Sequence, residues 1–124
     1  MMVIRAALAA ALALGFLAAP LAAGAQAGKV WRIGLLSLAT PEAAAPYVGV
    51  LEEALRDHGY VEGRNIVLER RYAGGRLERL PDLAAELVRL RVDVIVAGSN
   101  PDIAAAKRAT PTIPIVTVHA EDPV

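Results

Sequence analysis

The chain has 124 residues, with 13 basic and 13 acidic side chains, two histidines and no cysteine. That length holds one small domain with one core, and the interspersed charges leave no basic block for a nucleic acid. The absence of cysteine excludes a disulfide framework, a thiol nucleophile and a lipid-modified cysteine.

The N-terminus is read first. Arg5 is followed by 23 uncharged residues, Ala6 to Gly28, mostly Ala and Leu, before Lys29 restores a charge. A positive n-region at Arg5, an apolar h-region from Ala6 to Ala19, and Pro20 ahead of Ala22-Ala23-Gly24-Ala25-Gln26-Ala27 form the profile of a secretory signal peptide over residues 1–27. Cleavage after Ala27 fits the Ala25-Gln26-Ala27 triplet, and cleavage after Ala25 fits Ala23-Gly24-Ala25. The run is also long enough for a bilayer, which takes about 20 residues, but Gly15, Pro20 and the many alanines make a weak anchor. Removal through Ala27 leaves 97 residues with 12 basic and 13 acidic side chains, a net charge near −1.

From Val30 onward, short β-branched and Leu-rich runs alternate with helical patterns, which predicts a three-layer open parallel sheet with flanking helices, an α/β fold. The first strand is expected over Val30–Ser37, with Ile33, Leu35 and Leu36 as the buried run of a central strand and Gly34 either admitting a close neighbour or merely tolerated. A helix follows from about Pro46 to His58, with Val48, Leu51 and Leu55 on one face, closed by Gly59. The second strand, Ile66–Tyr72, carries Glu69, Arg70 and Arg71 and so belongs at the sheet edge. After Ala73-Gly74-Gly75, a second helix from about Glu78 to Arg91 lines up Leu80, Leu83, Ala84, Leu87 and Leu90, with Pro81 tolerable only in the first turn. Val92–Ala97 reads as a central third strand. Asn100 as N-cap and Pro101 at N1 open a third helix to Ala109, and Ile113–Val118 forms the fourth strand.

Right-handed crossovers and the edge position of the second strand give the order 2-1-3-4, so the strand order reverses between strands one and three. Ligands of open α/β sheets bind outside the carboxyl ends of the strands at that reversal. The loops there carry Ser37 and Thr40, then Ser99 and Asn100, then His119 and Asp122. Ser37 and Thr40 can contact a ligand or simply end a strand and cap a helix. Ser99 and Asn100 stand where free N–H groups and the helix dipole suit an anion such as a substrate carboxylate, although Asp102 already supplies negative charge in that turn. Asp122 can face a substrate amine or water, and an Asp before Pro is also an ordinary turn residue. His58 and His119 are too few and too far apart for a metal, and no Ser-His-Asp spacing, paired-carboxylate motif or Gly-x-Gly-x-x-Gly loop stands in a suitable context. No catalytic residue, metal or cofactor is expected.

Three stretches carry a resemblance: Val30-Trp31-Arg32-Ile33-Gly34-Leu35-Leu36-Ser37, Gly59-Tyr60-Val61-Glu62-Gly63-Arg64-Asn65-Ile66, and Arg79-Leu80-Pro81-Asp82-Leu83-Ala84-Ala85-Glu86-Leu87-Val88. Val92 to Gly98, Ala105-Ala106-Lys107, Thr112 to Val116 and Asp122-Pro123 continue it. The chain from residue 28 resembles the ABC transporter substrate-binding proteins that include the tryptophan/tyrosine-type binding proteins. The resemblance implies a periplasmic-binding-protein type I-like lobe, the first of two that close over a small-molecule solute in the cleft between them, an amino acid among the candidates. It further implies capture rather than catalysis, a periplasmic or extracytoplasmic location, an ABC permease in the membrane as partner, and a monomer when complete. Residues 28–124 match the first lobe alone, so a truncated receptor is expected. The competing readings are an α/β enzyme or a phospho-receiver on the same sheet, and a truncated product without function. A receiver needs acids where this chain has Gly34-Leu35-Leu36-Ser37 and Ala97-Gly98-Ser99.

Overall fold

Four strands, β1 (Trp31–Ser37), β2 (Ile66–Tyr72), β3 (Val94–Ala97) and β4 (Ile115–Thr117), lie parallel in the order β2-β1-β3-β4. Three helices connect them: α1 (Pro41–Asp57), α2 (Leu80–Arg89), which a 3-10 turn at Leu77–Arg79 precedes, and α3 (Asn100–Ala109). The computed structural model describes residues 28–117, so the expected leader, Val118, His119 and Asp122 lie outside the described residues.

The strands alternate between two cores. Ile33 and Leu35 of β1, Ile66 and Leu68 of β2, and Val94 and Val96 of β3 face α1, where they meet Val48, Leu51 and Leu55. Leu36 of β1 and Ile95 of β3 face the opposite side, with Leu80, Leu83 and Leu87 of α2 and Ala105 and Ala106 of α3. Complete burial of each large aliphatic side chain contributes about 1.5–3 kcal/mol, whereas a half-exposed ion pair contributes about 0–1 kcal/mol. Burial therefore decides which strands are central. The edge position of β2 follows the expected order, and its charged residues are nevertheless ordered. Arg70 donates to Glu52 of α1 at 2.7 Å and to Glu62 at 2.9 Å, while Arg71 donates to Glu86 of α2 at 2.7 Å. Successive residues of one edge strand thus reach the helices on opposite faces.

The element boundaries differ from the sequence reading at three places. α1 begins at Pro41, five residues before the expected Pro46, because Thr40 Oγ1 accepts the Ala43 N–H at 3.1 Å and Pro41 occupies the first helical position. Pro46 is carried inside the helix on an exposed turn, where solvent can reach the carbonyl left without an N–H partner. At its other end α1 closes as expected: Gly59 at φ +89° allows its N–H to bond Arg56 O at 3.0 Å and that of Tyr60 to bond Leu55 O at 2.8 Å. α2 starts at Leu80 and stops at Arg89, shorter than the expected Glu78–Arg91. Its C-terminal turn has the same form, but Arg91 takes the left-handed position at φ 56° with no glycine to mark it. Val92 then completes this turn, and Asp93 exchanges bonds with the Arg32 backbone at 2.7 and 2.8 Å, so β3 starts at Val94 instead of Val92. β4 likewise starts at Ile115, two residues after the expected Ile113.

At Gly34 the Leu87 side chain of α2 packs directly against the backbone of β1. A Cβ built there lies 3.0 Å from Leu87 Cδ2 and 3.1 Å from Cδ1, and Leu87 is fully buried. Gly34→Ala is expected to lower stability by about 1–3 kcal/mol through overpacking, measured as a lower urea midpoint. The loss should shrink in a Leu87→Ala background, where the colliding methyls are gone; an undiminished loss in that background would place the strain elsewhere.

Candidate ligand-binding site

At the carboxyl ends of the strands, three loops are stitched into one rim. Ser37, only 3% exposed, accepts the Ala39 N–H on Oγ at 3.1 Å and turns the chain out of β1. The segment after β2 is fastened to that turn by backbone bonds from Ala73 N–H to Ser37 O at 2.8 Å and from Gly75 N–H to Leu38 O at 2.6 Å. After β3, Gly98 leads into Ser99, which caps α3. Its Oγ stands 3.5 Å from the Asp102 N–H, and its own N–H donates to Asp102 Oδ2 at 3.2 Å. The expected cap at Asn100 is thereby corrected: Asn100 is the first helical residue and Pro101 the second, because the Ser99 and Asp102 side chains satisfy each other's backbone one residue earlier.

Between the β1 and β3 loops, where the strand order reverses, lies a cavity of about 510 Å³. Its walls are Leu38, Ala39, the Tyr47 ring, Gly75 and Gly98, with Ser37, Ser99 and Asp102 adding polar groups. A smaller hollow of about 170 Å³ between the end of α1 and the start of β2 is lined by Glu52, Tyr60 and Glu62. Its two acids are already committed to Arg70. Among the described residues, no group of three or more His, Cys, Asp or Glu side chains is gathered to hold a metal.

Of the five residues expected to touch a ligand, Ser37 and Ser99 line this cavity. Thr40 is exposed and engaged in capping α1, Asn100 is exposed, and neither is part of the lining. Asp122 lies outside the described residues. Tyr47 and Asp102 join the lining without having been singled out for it. Tyr47 projects from the second turn of α1, beside the apolar stripe that begins at Val48. Asp102 was legible as a helix-start charge, but its 2% exposure follows from three-dimensional packing alone.

These two side chains share an anomaly: Tyr47 OH and Asp102 Oδ1 are both buried without a hydrogen-bond partner. Burial pushes the Tyr47 phenol up to about 12, with the Asp102 carboxylate and Tyr72 adding to the shift. Burial also raises Asp102, while its bonds to Ser99 and the nearby Leu38 and Gly98 amides draw it back toward the charged form. The Leu38 and Gly98 backbone amides thus help to hold the carboxylate, whose Oδ1 is buried.

Comparison with known proteins adds a decisive observation: residues 33–124 match the family described as ABC transporter substrate binding protein. The chain belongs to this family. It is 36% identical over 72 residues to a tyrosine-binding protein of Clostridioides difficile (strain R20291), covering 58% of this chain and 21% of that one. The fold superposes on a ligand-free, open substrate-binding protein with adhesive properties from Clostridium difficile with a TM-score of 0.66 and 28% identity, over 71% of this chain and 30% of that one. A Streptococcus pneumonia ABC domain in complex with L-Trp shares the fold at a TM-score of 0.65 and 21% identity, over 77% of this chain and 32% of that one. The chain therefore spans between a fifth and a third of the length of these relatives.

The buried phenol sets a pH signature for this family member's cavity. Tyr47 holds its proton up to about 12 in the native state against 10.0 for the ordinary side chain. Its contribution to stability is thus complete below pH 10.0 and is lost as pH rises through about 12. Urea midpoints taken from pH 9 to 12 should fall more steeply for the wild-type chain than for Tyr47→Phe; parallel curves would show that the phenol is not held in this environment.

Proposed function

We propose that residues 28–124 form one lobe of a non-enzymatic, extracytoplasmic solute-binding protein that delivers a small amphipathic molecule, an amino acid in the simplest case, to an ABC permease. The observation that carries this reading is the apolar-walled cavity at the strand-order reversal, with the buried polar residues Ser37 and Asp102 and the half-buried Ser99 in its lining. The family membership and the name of the tyrosine-binding relative support the ligand class. Residues 1–27 act in this reading as a cleaved export signal, and the complete protein works as a monomer.

Capture requires a second surface. The rim loops can contact one side of a solute, and tight binding of a small polar molecule needs most of its surface buried and its few polar groups matched. A second lobe closing over the cavity supplies the remaining contacts, and the ligand shifts the population toward the closed shape that a permease recognises. Ser37 and Ser99 are assigned to the first lobe's share of the contacts. Asp122, with Thr40 and Asn100 at the outer rim, is assigned to the side on which the second lobe closes.

Calorimetry with L-tyrosine, L-tryptophan and a panel of other amino acids tests this reading on the chain alone and on the chain joined to the second lobe of a full-length relative. The joined protein should bind one of them at micromolar concentrations. The lobe alone should be weaker by a hundredfold or more, since each ~1.4 kcal/mol of lost contact is tenfold in the dissociation constant. Micromolar binding by the lobe alone would show a complete receptor, and no binding by the joined protein would remove the amino-acid assignment.

A further inference from the structure

The loops that wall the cavity are fastened unequally. The β1 loop is bonded to the segment after β2 by Ala73 N–H to Ser37 O at 2.8 Å, Gly75 N–H to Leu38 O at 2.6 Å and Gly74 N–H to Ala39 O at 3.2 Å. Toward β3 the ladder ends at the pair of Leu36 and Ala97. Among the described residues, no backbone hydrogen bond joins Leu38, Ala39 or Thr40 to Gly98 or Ser99. The strand order reverses there and the cavity opens, so backbone links end at the place where a site needs fixed walls.

One side chain bridges the gap. Asp102, in the first turn of α3, is 2% exposed, and its Oδ2 accepts the Ser99 N–H at 3.2 Å. Burial pushes the carboxyl group up, and against it the Ser99 side chain and amide, the Leu38 amide of the opposite loop and the Gly98 amide of the same loop draw it toward its charged form. Among the described residues no Lys or Arg stands within ion-pair distance, so these groups supply the compensation that a buried carboxylate requires. A helix cap alone does not call for this residue, because the usual reciprocal partner at that position is a Glu or Gln. The shorter Asp holds its carboxylate close to the helix end, within reach of both loops.

Building on the reading of this cavity as the ligand site, we propose that Asp102 is a positioning residue of that site, whose buried carboxylate ties the β3 loop to the β1 loop and so sets the width of the cavity before a solute arrives. It acts through the loops and not on the solute. Leu38 is then the junction of the rim, joined through its carbonyl to the β2 segment and through its amide to the first turn of α3. Without the carboxylate the β3 loop and α3 are free to drift from β1, and part of the binding free energy of a solute goes into ordering them.

Amide hydrogen exchange and titration with L-tryptophan test this on the 15N-labelled wild-type chain, Asp102→Asn and Asp102→Glu. Asp102→Asn keeps the shape and one acceptor oxygen but loses the charge. Asp102→Glu restores the usual capping partner and moves the carboxylate by one methylene, and it decides the matter if Asp102→Asn does not fold. In both variants the protection of the Leu38 and Gly98 amides should fall by about tenfold or more, the change expected for one hydrogen bond to a charged group. The Ile95 amide, bonded to Pro114 O at 2.9 Å within the sheet, should keep its protection. L-tryptophan, followed by the Ala39 and Gly75 signals, should bind both variants about tenfold more weakly. If Asp102 serves only to cap α3, Asp102→Glu will leave Leu38 as protected as in the wild type, and the proposal falls. Loosened loops with unchanged affinity for L-tryptophan would also overturn the positioning role while leaving the cavity as the ligand site. Wild-type rim signals that respond to neither L-tryptophan nor L-tyrosine would count against the cavity as an amino-acid site, and the exchange of Leu38 would still decide whether Asp102 ties the loops.

Discussion

β1 has no solvent face from Ile33 to Ser37, so the chain has to cover it twice. One connection, α1, lies on one side, and α2 and α3 lie on the other. One right-handed crossover carries the chain from β1 to β2 over one face, and a second carries it from β2 back past β1 to β3 over the other, so the strand order reverses beside β1. The loops after β1 and β3 then diverge, one toward α1 and the other toward α3, and the cavity is the space they leave. The cavity is in this sense a by-product of burying five consecutive residues. Gly34 makes the arrangement tight enough to matter, because α2 can approach β1 only where a strand side chain is missing.

The sheet was legible in the sequence because hydrophobic runs and polar interruptions report strand burial directly. Ile33, Leu35 and Leu36 marked the centre, Glu69 to Arg71 marked the edge, and the order followed from handedness. Helix ends were less legible wherever they were set by residues with more than one use. Pro46 looked like a beginning since proline prefers the first turn, yet Thr40 and Pro41 form a better start and the long amphipathic face beyond tolerates the interruption. Arg91 in a left-handed turn was invisible, since nothing in an arginine signals a helix end that glycine usually provides. The site was half legible. Ser37 and Ser99 follow from topology alone, whereas Tyr47 and Asp102 depend on which way a helix rolls and on how deeply its first turn is covered.

One of the three stretches that carry the family resemblance, Gly59 to Ile66, lies at the other end of the sheet from the cavity. Its residues are occupied with architecture. Gly59 closes α1, and Asn65 accepts the Val61 N–H at 2.7 Å and donates to Gly59 O at 2.9 Å. Glu62 holds Arg70, and Ile66 enters the core. A family signature of this kind identifies the scaffold through the turn that sets the register of its edge strand. It does not reach the cavity at the carboxyl ends of the strands.

That separation bears on why an uncompensated pair survives at the rim. Leaving two buried polar atoms without partners costs about 1–3 kcal/mol each, a substantial part of the roughly 5–15 kcal/mol that holds a domain together. Capping does not require it: Ser99 alone can serve the first turn of α3, and the usual reciprocal partner at that position is a Glu or Gln. The second oxygen of the short Asp side chain is buried without a partner, and Tyr47 lines the same cavity as Asp102 although the α1 core is already filled by Val48, Leu51 and Leu55. A scaffold selected for stability alone would have removed both groups at little loss of packing. Their joint presence beside the strand-order reversal marks the part of the fold where burial alone does not set the side chains.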